Sequence, residues 1–115
     1  MKRLAFPALL LAAAAAAPCA GAEQRQVDAA LEIAKSHEEC QRIEAGQKRK
    51  YHWKASAPVD FNIHYHDGPE VLYGVKRDAM RGDGGTFTAK TAQDYCWMWT
   101  ARNAPAKVEG RIELK

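Results

Sequence analysis

After residue 22 the chain has no apolar run long enough to cross a bilayer, no CxxC pair, no glycine-rich phosphate loop ahead of a helix, and no repeat or low-complexity tract. Each absence removes a class of function. Spanning roughly 30 Å of hydrocarbon takes about 20 apolar residues, so no membrane segment is expected after the leader described below. Thiol redox chemistry and thiolate zinc centres draw on closely spaced cysteine pairs, and the whole sequence holds three cysteines. Ser36 and Ser56 lie in no nucleophile-elbow context. With no phosphate loop and no activated nucleophile, the sequence is read as that of a non-enzyme.

The N-terminus is a different kind of sequence. Lys2 and Arg3 precede an apolar run from Leu4 to Ala17, and small residues follow up to Ala20-Gly21-Ala22. A charged start, a run of about 14 apolar residues and a small-x-small site describe a secretory signal peptide over 1–22. Cys19 invites a lipoprotein reading, but Pro18 directly before it and Ala16 where the lipobox favours leucine argue against acylation. Cleavage after Ala22 would leave 93 of the 115 residues, one small domain in the periplasm or medium. Lys2 and Arg3 leave with the leader, so the excess of Lys and Arg over Asp and Glu falls from +3 to +1. A nucleic-acid partner then has no electrostatic support. Lys48, Arg49, Lys50 and Lys54 are interleaved with Tyr51 and Trp53, which reads as the wet face of a half-buried strand. Cys40 and Cys96 remain as an even pair in an oxidising compartment, most simply a disulfide.

The mature chain reads as strands and turns. Val59-Asp60-Phe61-Asn62-Ile63-His64-Tyr65-His66 alternates without a break, placing Val59, Phe61, Ile63 and Tyr65 on one face and Asp60, Asn62, His64 and His66 on the other. Further alternating runs lie at 51–55, 71–75, 86–89, 94–100 and 108–114, separated by turn-forming glycine, proline, aspartate and asparagine. Val27, Ala30, Leu31 and Ala34 fit a helical stripe, so a short N-terminal helix or irregular lead-in is expected over 23–37. The fold class expected is all-β, an antiparallel β-sandwich of jelly-roll type over 38–115.

The order of Glu38-Glu39-Cys40, Glu44-Ala45-Gly46, Val59-Asp60-Phe61-Asn62-Ile63, Val71-Leu72-Tyr73, Gly85-Thr86-Phe87-Thr88-Ala89 and Tyr95-Cys96-Trp97 resembles the GOLD domain. This is the Golgi-dynamics β-sandwich of secretory cargo receptors and some lipid-transfer proteins. The resemblance covers about residues 38 to 115, and it implies a bridge between Cys40 and Cys96 and a role in protein or lipid interaction rather than catalysis. Receptor-type members continue into a coiled coil and a membrane-spanning helix with a coat-binding tail, for which this sequence has no counterpart, so a small exported relative is expected.

Two candidate surfaces follow. The row Asp60, Asn62, His64 and His66 must find hydrogen-bond partners, a ligand or a metal. As a metal site, His64 and His66 are two apart on a strand and Met98 could add a thioether, a set suited to copper or zinc. Trp97 and Trp99 share a face with Tyr95, while Cys96 and Met98 on the other face also favour burial, so either side of that strand could belong to a binding surface. The function expected is a non-enzymatic exported binding module for an envelope protein, lipid or small ligand, without a cofactor, and the alternative is a periplasmic copper or zinc protein.

Overall fold

The computed structural model describes residues 3–5 and 23–115. The expected leader apart from residues 3–5, with Cys19, lies outside the described residues. Six strands follow: β1 (Gln24–Leu31), β2 (Ser36–Ile43), β3 (Lys48–Asp67), β4 (Glu70–Thr88), β5 (Gln93–Ala101) and β6 (Ala106–Glu113). They form one antiparallel sheet in the order β1-β6-β3-β5-β2, with β4 along the other edge of β3.

The sheet is built on β3. Its first half pairs with β6 through Tyr51↔Ile112 to Ala55↔Val108, and its second half with β5 through Val59↔Ala101 to His64↔Cys96. Between the halves sits Ala57-Pro58, where proline supplies no ladder hydrogen bond. The pairing of β3 with β4 shifts register there, between Lys54 and Val59. Ser56 Oγ accepts the Lys107 amide at 2.8 Å, a side-chain substitute for the ladder at the break. The other segments break at the same level. Ala34, at a φ of 62°, lies between β1 and β2. Its amide donates to the Ala101 carbonyl at 3.1 Å, and the Ala101 amide donates to Lys35 at 3.0 Å.

This shared line of breaks lets the sheet curl so that its inner faces meet. Trp53 from the first half of β3 packs on Phe61 from the second half, at 5.1 Å between ring centroids, and edge-on against Trp99 at 6.3 Å. Tyr51 packs on Phe61 and Trp97, while Val27, Leu31, Ile43, Phe87, Val108 and Ile112 fill the remaining core. Edge-to-face packing of this kind sets ring rims against ring faces. It is also the environment of the buried indole Nε1 atoms of Trp53, Trp97 and Trp99, which have no hydrogen-bond partner among the described residues.

The expected N-terminal helix or lead-in is corrected. No helix occurs among the described residues; β1 pairs with β6 along its whole length and buries Val27 and Leu31. A spacing of four places two residues on one face of a helix and also on one face of a strand. Arg25 then bridges β1 to β2, pairing with Glu39 at 3.1 Å and donating to the Cys40 carbonyl at 3.3 Å.

Candidate functional site

Register across β3, β5 and β2 composes the outer face of one half of the sheet. His64 stands opposite Cys96, and Cys96 opposite Cys40. One pair along, Asn62 stands opposite Met98, and Met98 opposite Glu38. Cys40 and Cys96 are joined as a disulfide. On the other side of β3, a bulge at Gly74 brings Tyr73 opposite His64.

His64 is 2% exposed although it faces away from the aromatic core. Its Nδ1 lies 2.6 Å from Asn62 Oδ1, and its Nε2 lies 3.4 Å from Glu38 Oε1. The rings of His66 and Tyr73 stand edge-on at 5.2 and 6.2 Å. Burial pushes the imidazole below its ordinary pKa, the Glu38 carboxylate pulls it back up, and His66 lowers it further. Donor atoms of Glu38, His64 and Cys96 all lie within 4.8 Å of one another, but the Cys96 sulfur is bonded to Cys40 and offers no thiolate.

The candidate residues divide by face. Asn62, His64 and His66 stay together on the outer side of β3. Asp60 shares that strand but is engaged at the bend, accepting the Ala79 amide at 3.0 Å and Arg102 Nη1 at 2.6 Å. Trp97 and Trp99 are 0% and 1% exposed and belong to the inner core, not to a surface. Met98 is half-buried beside Asn62 and Glu38. Glu38 is the residue that sequence reasoning missed. Its signal was the disulfide: with Cys40 fixed opposite Cys96 on antiparallel strands, Glu38 must stand opposite Met98.

A second feature adjoins this face through Tyr73. A groove of about 670 Å³ opens where β4 curls, lined by Tyr65, Leu72, Tyr73, Phe87, Tyr95 and Lys90 among others. Gly74 makes it possible for Phe87 to lie against β4, because a Cβ at Gly74 would come within 2.7 Å of that ring. Among the described residues β4 pairs only with β3, so its outer backbone edge is open. Val71 and Tyr73, 40% and 50% exposed, stand along it. Arg77 and Asp83, 3.8 Å apart, connect the two halves of β4.

These features define a curled antiparallel β protein with a disulfide-braced outer face and an open edge. No protein-family model matches the chain, and no curated protein matches it in sequence. Among solved structures it is similar to Aeromonas hydrophila PliG, a periplasmic lysozyme inhibitor of g-type lysozyme. That likeness has 11% identity and a TM-score of 0.55, covering 83% of this chain and 89% of that one. It is also similar to the Yersinia pseudotuberculosis-derived mitogen, at 8% identity and a TM-score of 0.55, covering 82% of this chain and 87% of that one. At these identities the likeness is one of fold.

Proposed function

We propose that this chain is an exported, non-enzymatic binding module that docks a protein of the cell envelope at the Tyr73 end of β4. The observation that carries the reading is the groove of about 670 Å³ opening beside an unpaired strand edge. An open edge offers main-chain donors and acceptors to an extended segment, and an adjacent pocket selects its side chains. Thr86, Thr88, Thr91 and Lys90 contribute polar groups to the aromatic lining, which suits a peptide better than a wholly apolar lipid chain. The curled sheet is read here as a two-layer sandwich of jelly-roll type, with β4 as its open rim. The leader read at 1–22 and the disulfide favour the periplasm or the medium. The resemblance to GOLD domains and the likeness to an inhibitor of another protein both support a protein partner.

The test places a photocrosslinking amino acid at position 73, and at Glu109 as a control, in cells expressing the full chain. The expected result is a discrete crosslinked envelope protein from position 73 alone. Equal products from both positions, or none, would remove the reading. Because PliG inhibits g-type lysozyme, a lysozyme of that type is the first purified partner to titrate.

A further inference from the structure

With the Asn62 oxygen facing the ring, an atom that can only accept, the 2.6 Å contact has His64 Nδ1 as its donor. Its Nε2 then presents a lone pair toward a carboxylate oxygen 3.4 Å away. Two electron-rich atoms face each other across that gap, and something positive belongs between them. Ligands held about 2.1 Å from a tetrahedral ion stand about 3.4 Å apart, so the spacing is that of two corners of a zinc site. Asn62 in this arrangement plays the part of an outer partner that fixes the tautomer of a ligating imidazole.

We propose that Glu38 Oε1 and His64 Nε2 form the core of a binding site for a divalent cation of the zinc class, with His66 turning in as third ligand. His66 is exposed, lies on the same face two residues along β3, and has its ring 5.2 Å from that of His64. Water or a group from a bound partner completes the fourth position. The site differs from the set His64, His66 and Met98 expected from sequence, because a carboxylate from β2 takes the place of the thioether. A carboxylate and imidazoles suit zinc, where a thioether would have favoured copper. The Cys40–Cys96 disulfide lies beside the site and joins β2 to β5, which sets the strand position of Glu38 opposite Met98. The site adjoins the docking edge through Tyr73, whose ring lies 6.2 Å from that of His64, but none of its proposed ligands lines the groove.

Two other occupants compete for the gap. A proton would make His64 an imidazolium that donates to both neighbours. Alternatively, Asn62 with its amide turned over would donate to Nδ1, leaving Nε2–H to donate to Glu38, with no ion required. The experiment separates all three. Chelator-treated mature protein, with its disulfide intact, is titrated with Zn²⁺ by calorimetry, and the His64 ring nitrogens are followed by ¹⁵N NMR.

The expected result is one equivalent of Zn²⁺ bound, a metal-free His64 that is neutral and protonated on Nδ1, and a large shift of the Nε2 resonance on loading. Glu38→Gln and His64→Gln should each weaken binding at least tenfold, and His66→Gln should weaken it as well. His52→Gln, an exposed histidine on the other half of β3, should leave it unchanged. Absence of uptake by the wild type would overturn the proposal, as would uptake indifferent to Glu38→Gln. So would a metal-free His64 that is an imidazolium or carries its proton on Nε2. The NMR measurement uses wild-type protein, so the test stands even if a variant fails to fold.

Discussion

Ala79, held at a φ of 53°, donates its amide hydrogen to Asp60 Oδ1 at 3.0 Å. The same oxygen accepts Arg102 Nη1 at 2.6 Å. One carboxylate therefore ties a second bulge of β4, where Asp78 and Ala79 lie between the pairs Val59↔Met80 and Phe61↔Arg77, and the corner after β5 to the centre of β3, at the level where the sheet curls. Burial, the largest single influence on this carboxyl, pushes its pKa up; the Ala79 amide, the Arg102 hydrogen bond and the charges of Arg102 and Lys76 together bring it below 3.8. A depressed carboxylate stabilises the fold above its unfolded pKa and loses that contribution as pH falls through the folded value. Asp60→Asn keeps an acceptor for Ala79 and removes the charge. The side chain is 38% exposed, so solvent screening limits the loss at neutral pH to about 1 kcal/mol. Urea unfolding at pH 7 and at about pH 2.5 checks the sign: the gap between wild type and variant should close in acid, and a gap that stayed constant would refute the ion-pair account.

Ala79 gives a prediction of the opposite direction. A left-handed residue with a Cβ is strained by about 1–2 kcal/mol, whereas glycine adopts that conformation freely but loses more entropy on folding. Ala79→Gly should therefore raise stability by about 0.5–1 kcal/mol, measured as an increase in urea midpoint at unchanged slope. A loss of stability would mean that the methyl group makes a contact worth more than the strain.

How far the sequence was legible depended on whether a feature was local. The alternation of Val59, Phe61 and Ile63 against polar neighbours needed only a period of two, and all three are 1% exposed or less. The pairing of Cys40 with Cys96 followed from compartment and number. β1 was misread because Val27 and Leu31, four apart, satisfy both helix and strand. Which face of β5 is core could not be read while Trp97 and Trp99 competed with Cys96 and Met98. The disulfide resolves the conflict by burying Cys96 on the outer face. Glu38 beside His64, and Asp60 beside Ala79, depend on the registers of β2, β5 and β4 against β3, and no local pattern encodes those.

The disulfide should dominate the stability of so small a domain. Its cysteines are 56 residues apart, and closing a loop of that length in the unfolded chain is worth about 4 kcal/mol in the chain-entropy model. A Cys40→Ser, Cys96→Ser variant should unfold at a much lower urea concentration, with a loss of that order. Thiol counting on unfolded, unreduced protein comprising residues 23–115 should find none free, and two free thiols would sink the claim.

Gly110 is required for space rather than for backbone freedom. It stands between Val27 of β1 and Trp53 of β3. A Cβ there would meet the His52 carbonyl oxygen at 2.5 Å, the Trp53 Cβ at 2.7 Å and the Trp53 Cα at 2.9 Å. These atoms belong to the central strand. They cannot yield without moving the Trp53 ring, which packs on Phe61 and Trp99. Overpacking of this kind typically costs about 1–3 kcal/mol, and a clash against backbone belongs at the upper end, so Gly110→Ala should lose about 3 kcal/mol or fail to fold. Gly85 is the control, because its nearest heavy atom is the Tyr51 hydroxyl at 3.7 Å, an ordinary contact. Gly85→Ala should be neutral, or stabilising by a few tenths of a kcal/mol through reduced freedom of the unfolded chain. Thermal unfolding of the pair decides the matter: if Gly110→Ala melted with Gly85→Ala, β6 would have to be free to move away from β3, and the tight seam beside Trp53 would not exist in solution.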